Sequence, residues 1–379
     1  MNVLNVATDS SLAAGNLDTV FARSRFQLLE EWESISIVCP KPSQVNFQNT
    51  ERLAVFPCRS SSYIGFLRSA AARIREIVDT NDIDVVIAQD PFVGFSALRA
   101  LRRRRSSPLI VELHADYLDN KPWKRERWVN RVMNQLGKYV VKRADAVRVV
   151  SHKILRDVQA LSVPPERILY LPSAAVDVDF FKPTQNPRDS TILCVARLVK
   201  QKALHLAIEA FALLKKPEPQ AVLKIVGRGV EEPRLRQIAS GLGVDGSVDF
   251  LTDYVSSGDL AKLYASSWVY LNTAYYEGGP RSVFEAMACG TPAVSTPVGL
   301  AAEFIRHAVN GYVTGWTPRQ ISAVLARAFK DTTVRPQLEE NARTTVVTHC
   351  GWRETYHQYA QGVREFTESY KSRMNPRSD

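Results

Sequence analysis

Short runs rich in Val, Ile and Leu alternate with helical patterns along almost the whole chain, and this alternation restricts the fold more than any other feature. In the first half, candidate strands are residues 2–7, 35–38, 53–57, 84–88, 109–114, 146–151 and 168–172. Helical patterns such as 63–79 and 92–105 lie between them. The second half repeats the scheme with strands at 191–195, 222–226, 248–251, 269–272, 293–296 and 311–313. Strand, helix and strand in this order make βαβ units, whose strands run parallel in a sheet covered on both faces. A chain of 379 residues exceeds one ordinary core. Two tandem doubly wound, Rossmann-like α/β domains facing a cleft follow, divided where Pro172, Pro183 and Pro187 interrupt the pattern. The expected boundaries are 1–175 for the first domain, 176–189 for a linker, 190–351 for the second domain and 352–379 for a closing helical stretch.

The formal charge of +10 is concentrated. Residues 99–143 carry thirteen cations against four anions, including Arg102-Arg103-Arg104-Arg105 and then Lys121, Lys124, Arg125, Arg127, Arg131, Lys138, Lys142 and Arg143. From Trp123 to Ala144, the apolar residues Trp128, Val129, Val132, Met133, Leu136 and Val140 recur at helical spacing, with most cations off that stripe. Two readings stand. The helix rests on an anionic bilayer with its tryptophans at headgroup level, or it packs on a sheet while cationic stems cover its flanks. No nucleic-acid-binding signature accompanies the charge. No stretch approaches the roughly 20 apolar residues of a membrane-spanning helix. The N-terminal residues lack the pattern of a secretory signal. Five scattered cysteines without a C-x-x-C pair indicate a reducing compartment and no zinc cluster. A cytoplasmic protein, peripheral on the inner membrane face if the bilayer reading holds, is the expectation.

The densest chemical motif runs from Tyr276 to Pro292. Glu277 ends a loop after a strand, Gly278 and Gly279 let a ligand approach the backbone, and Pro280 suits the start of a helix. Free amides near Arg281 and Ser282 would face an anion such as a diphosphate. Glu285, about one turn inside that helix, could accept bonds from two vicinal hydroxyls. An ordinary strand–loop–helix, with Glu277 a solvated cap and Glu285 paired locally, is the alternative. Arg197 and Lys202 follow a strand and precede a helix, where charge-assisted bonds to phosphate are their natural use. Gly227-Arg228-Gly229 after the next strand is a tight turn and, alone, a weak signal.

Together these motifs resemble the retaining GT-B glycosyltransferases of glycosyltransferase family 4, the group 1 transferases. The resemblance covers most of the chain and is strongest between Ala144 and Val313. Glu277 and Glu285 stand at the two glutamates of the family's E-x7-E motif, continued by Ala286-Met287-Ala288-Cys289-Gly290-Thr291-Pro292. Arg197 and Lys202 match its diphosphate-binding pair. The resemblance implies a nucleoside-diphosphate sugar on the second domain as substrate, with no cofactor and no metal required. Glu285 would hold the ribose diol, Arg197 and Lys202 the diphosphate, and Glu277 the sugar hydroxyls. Backbone at Gly227, Gly278, Gly279, Arg281 and Ser282 would assist. His114 matches a histidine placed near the transferred sugar, which makes His114 and Glu277 the catalytic candidates. Asp116 and Gly15 are acceptor-side candidates. The implied reaction is retaining transfer to a hydroxyl of a glycan or lipid-linked acceptor.

Three departures from the family pattern stand out. Only Gly15 represents the glycine-rich loop after the first strand. Arg228 replaces the usual acidic residue, and Pro172–Asp177 has one residue more than the family's hinge motif. Asp177-Val178-Asp179 resembles a metal motif of another transferase fold but lies in the linker, away from the donor motifs. An isomerase or hydrolase of nucleotide-sugars, or a basic membrane-surface protein with a decayed site, are the rival functions.

Overall fold

The computed structural model describes residues 1–17, 19–60, 62–102, 106–118, 120, 124, 128–185 and 188–374. The basic residues Arg103, Arg104, Arg105, Lys121, Arg125 and Arg127, together with Trp123, lie outside that set. Among the described residues the chain forms two compact units, one of residues 1–172 with the chain from Tyr356 onward, the other Ser173–Thr355.

The first unit is built on seven strands: β1 (Asn2–Val6), β2 (Ser34–Pro40), β3 (Leu53–Cys58), β4 (Val85–Ala88), β5 (Leu109–Leu113), β6 (Ala146–Val149) and β7 (Ile168–Tyr170). They lie in the order β3-β2-β1-β4-β5-β6-β7, and each neighbouring pair is parallel. Continuous apolar runs are what a sheet buried on both faces requires; every residue of β4 and β5 is buried. Alternate side chains serve opposite faces. Leu4 and Val6 pack with α2 (Tyr63–Thr80), α3 (Pro91–Leu101) and the later half of α4 (Trp128–Arg143), through Phe66, Val93 and Val140. Val3, Val85 and Ile110 face the other way, onto Ala22 and Leu28 of α1 (Val20–Leu28), onto Trp32 and onto Tyr359, Ala360, Val363 and Phe366. Those four come from the final helix, Trp352–Met374.

The second unit has six strands: β8 (Asp189–Val195), β9 (Val222–Val226), β10 (Val248–Leu251), β11 (Ser267–Asn272), β12 (Ala293–Ser295) and β13 (Gly311–Val313). Their order is β10-β9-β8-β11-β12-β13, again all parallel. Helix Leu204–Leu214 buries Leu204, Leu206, Ile208, Phe211 and Leu214 on one face of the sheet. Helix Arg281–Ala288 buries Val283, Phe284 and Met287 on the other. Each large side chain so buried stabilises by about 1.5–3 kcal/mol relative to exposure. In both units the strand order reverses direction about its first strand, between β1 and β4 and between β8 and β11. These are the points where open α/β sheets hold ligands, beyond the strands' carboxyl ends.

The stripe read from Trp128 to Val140 is divided between the two readings. Val140 is buried and Leu136 packs against the same core, alongside buried Asn134, Gly137 and Val141. Trp128 is 78% and Val132 56% exposed. The inward turn of Asn134 has a polar cause. The Asn134 side-chain amide donates to the Leu118 carbonyl at 2.9 Å and also to that of Tyr117, fixing the loop after β5. A buried amide with two carbonyl partners outweighs the periodicity of exposed apolar neighbours.

Candidate active site

At the reversal point of the second sheet, β8 leads into a loop bearing Arg197 and a single 3-10 turn, Lys200–Lys202. Opposite it, β11 leads into residues 273–280. The two loops are tied by backbone. Tyr275 N–H donates to the Gln201 carbonyl at 2.9 Å, the Gln201 amide to the Tyr276 carbonyl at 2.8 Å, and Thr273 Oγ1 to the Lys202 carbonyl at 2.9 Å. This lacing brings the Lys202 ammonium onto Oε1 of Glu277, both side chains mostly buried. Glu277 is therefore an ion-paired group at the strand ends, not a solvated cap. Arg197 is exposed and has no side-chain partner among the described residues.

Glycine chemistry explains the shape of this edge. Gly227 follows β9 with φ +139°, and a Cβ there would lie 2.0 Å from the Ala196 carbonyl oxygen. The Gly-Arg-Gly turn thus presses directly on the Arg197 loop, and Leu198 N–H donates to the Arg228 carbonyl at 2.8 Å. Arg228 itself is exposed, and its guanidinium is held by the Thr252 carbonyl beyond β10.

Helix Arg281–Ala288 starts at Pro280 with no side chain capping it. Its first amides therefore point from the loop of Gly278 and Gly279 with the positive end of a helix behind them. Leu300 N–H donates to the Gly278 carbonyl at 2.9 Å, so that loop is fixed from the β12 side as well. Glu285 is buried. Its carboxylate accepts from the Tyr264 hydroxyl at 3.0 Å on one oxygen and from Arg281 Nε at 2.9 Å on the other. Burial first, and the neighbouring Glu285 charge second, push the Tyr264 hydroxyl well above its ordinary pKa, so it stays a donor. Tyr270 reaches Ser282 Oγ at 2.6 Å and the Val195 carbonyl at 3.1 Å, joining the helix start to β8.

In the first unit, His114 follows β5 and its Nε2 lies 2.9 Å from Glu112 Oε2. Glu112 is buried inside the apolar run Leu-Ile-Val-Glu-Leu and stands directly across from Arg148 in the β5–β6 register. The Arg148 guanidinium donates to its other oxygen at 2.7 Å, donates to the Leu171 carbonyl at 3.0 Å, and lies 4.1 Å from the Tyr359 ring centre. Burial acts to raise the Glu112 carboxyl's pKa; Arg148 and then His114 outweigh it and hold the group well below the ordinary range. Asp116 is buried, with Oδ2 3.1 Å from Lys153 Nζ and Oδ1 without a partner among the described residues. Gly15 sits in an exposed turn after β1, with φ +82° and its N–H on the Leu12 carbonyl. A Cβ at that position would lie 2.9 Å from the Asn46 Cβ.

Tyr264, Tyr270, Gln201, Glu112, Arg148 and Lys153 were not among the residues singled out from the sequence. A signal existed for two of them: single opposite charges inside the neighbouring apolar runs 109–113 and 146–150. Asp177 and Asp179 do not gather ligands; Asp177 Oδ1 accepts from the Asp179 and Phe180 amides, and Asp179 pairs with Arg353. No cluster of three or more His, Cys, Asp or Glu suited to a metal occurs among the described residues.

Two family models cover most of this framework. The one described as glycosyl transferases group 1 matches residues 176–345, and a glycosyl transferase 4-like domain matches 29–174. The chain belongs to the group 1 glycosyltransferases. It is a glycosyltransferase, and its two parallel-sheet units have the GT-B architecture of that family. An uncharacterized glycosyltransferase of Haemophilus influenzae is 24% identical over 79% of this chain and 82% of its own length. Sucrose-phosphate synthase from Thermosynechococcus elongatus shares the fold at a TM-score of 0.83 and 16% identity, over 97% of this chain and 99% of that one. Anabaena HepE, solved with UDP and glucose, does so at 0.77 and 18%, over 96% and 100%. Membership in the group 1 glycosyltransferases favours transfer over the isomerase, hydrolase and decayed-scaffold readings.

Proposed function

We propose that the second unit binds a nucleoside-diphosphate sugar along the edge between β8 and β11, and that the sugar passes to an acceptor hydroxyl with retention. The Lys202–Glu277 pair, held beside an uncapped helix start at the sheet's reversal point, carries this reading. On it, the diphosphate takes the Lys202 ammonium, the exposed Arg197 and the amides near Arg281 and Ser282. Gly227, Gly278 and Gly279 allow the close approach. Releasing Glu277 from Lys202 frees a carboxylate for the sugar hydroxyls. Glu285, already fixed by Tyr264 and Arg281, holds the ribose diol with its remaining lone pairs. Because HepE holds UDP and glucose, UDP-hexoses are the first donors to test.

On the acceptor side, the unpartnered oxygen of Asp116 supports a place for an acceptor hydroxyl, and Glu112 supports His114 as an oriented donor to the sugar. Gly15 gives backbone access after β1. In the reaction, the bond from the anomeric carbon to the diphosphate oxygen breaks and one to the acceptor oxygen forms on the same face. The acceptor proton leaves with the diphosphate. Developing charge on the leaving group is met by chain cations and helix amides, so no metal and no cofactor enter. The acceptor is a glycan or a lipid-linked saccharide, reached from the cytoplasmic side at an anionic membrane surface through residues 99–143. The test is turnover with each UDP-hexose: Lys202→Ala is expected to lose about a hundredfold or more in kcat. Unchanged turnover by Lys202→Ala and Glu277→Gln would reject the assignment.

A further inference from the structure

The apolar residues that the first turns of α4 leave exposed, Trp128 and Val132, lead into a built site. Helices α2, α3 and α4 enclose a groove of about 460 Å³. Leu67, Ala71, Phe95, Met133 and Leu136 line it, together with the guanidinium-bearing side chains of Arg68, Arg75 and Arg99. All three arginines are exposed, and none has an ion-pair partner among the described residues. At its end Ile64 is 65% exposed. Trp128 and Val132 stand two turns and one turn before Leu136 on the same side of α4. A groove with an apolar floor and three guanidinium groups that have no ion-pair partner among the described residues matches a ligand with a hydrocarbon part and an anionic head. A free sugar or a free phosphate would leave the floor unused, and an exposed Trp beside cations suits the headgroup layer.

We propose that this groove docks the chain on an anionic phospholipid bilayer, with Ile64, Trp128 and Val132 entering the acyl boundary and Arg68, Arg75 and Arg99 holding lipid phosphates. It deepens, and rests on, the membrane-side placement of the acceptor proposed above. The attraction is electrostatic in part and so weakens with salt. Each arginine near such a surface contributes about a fivefold change in partitioning, so removing three lowers it on the order of a hundredfold.

The experiment is co-sedimentation of the full chain with vesicles of equimolar phosphatidylcholine and phosphatidylglycerol, and with phosphatidylcholine alone. The wild type should sediment with the mixed vesicles at low salt and remain in solution with the neutral ones. Arg68→Ala/Arg75→Ala/Arg99→Ala and, separately, Ile64→Ser/Trp128→Ser should each lose most of that binding. Their melting shift with UDP-glucose should stay that of the wild type, since none of these residues belongs to the donor site. No wild-type binding to mixed vesicles would end the membrane reading altogether. Binding that both variants retain would overturn the groove while leaving a basic surface elsewhere responsible. A wild-type dimer in solution that Ile64→Ser/Trp128→Ser dissolves would also overturn it, assigning the face to a second copy. Absence of a donor shift in the wild type would count against the transferase site and not against the groove.

Discussion

Replacing Glu285 by Ala should unfold the second unit more easily, apart from any effect on catalysis. The carboxylate is buried and is the acceptor of a hydroxyl on Tyr264, a side chain with no exposed surface. Truncation leaves that hydroxyl without an acceptor, at about 1–3 kcal/mol. It also removes one buried methylene, worth roughly 0.8 kcal/mol. A loss of about 2–4 kcal/mol is therefore expected. Glu285→Gln keeps an oxygen for Tyr264 and should cost under about 2 kcal/mol, making it the variant with which to test donor binding. Adding Tyr264→Phe to the Glu285→Ala variant should recover about 1–2 kcal/mol, because the orphaned hydroxyl is gone. Urea unfolding followed by tryptophan fluorescence gives all three midpoints. A Glu285→Ala midpoint equal to the wild type's, or a double variant no more stable than Glu285→Ala, would refute the idea that Tyr264 anchors this glutamate.

Glu112→Gln should cost about 3–5 kcal/mol in urea unfolding, since it leaves the Arg148 guanidinium buried without its counter-charge. Its pH dependence follows from the lowered Glu112 pKa. The stabilisation is fully present above the unfolded value of about 4.3 and fades as pH falls below it, so the variant's stability should vary less with acid than the wild type's. Gly227→Ala should lose about 1–3 kcal/mol through its left-handed backbone and should displace the Arg197 loop, seen as weakened donor binding in calorimetry. Nuclear magnetic resonance of the product's anomeric proton should show the donor's own configuration; inversion would discard the same-face route.

Parallel order and strand positions were readable because βαβ alternation and double burial leave unbroken apolar runs, as in Val85–Ala88. The Lys202, Glu277 and Glu285 positions were readable because spacing after a strand fixes which residues reach the sheet edge. The pairing of Lys202 with Glu277 was not, since it depends on side-chain bonds to backbone carbonyls between loops more than 70 residues apart. Tyr264 was hidden for a similar reason: an aromatic residue on a neighbouring helix looks like core until its hydroxyl finds a carboxylate. The division of the α4 stripe into a core-packed end and an exposed end was not readable, because hydrophobic period does not reveal that Asn134 is drawn inward by two carbonyls. Glu112 and Arg148 could have been paired from sequence alone, by asking why each of two adjacent buried strands carries one charge of opposite sign.

Thermal unfolding with nucleoside-diphosphate sugars is the most direct test of a donor site between β8 and β11. At a donor concentration about a hundredfold above Kd, binding should add about 2.7 kcal/mol, a rise in Tm of roughly 5–10 °C for a unit of this size. The rise should appear with at least one UDP-hexose, without added metal, and should shrink to near zero in Lys202→Ala. No shift with any nucleoside-diphosphate sugar, or an equal shift in wild type and Lys202→Ala, would contradict it.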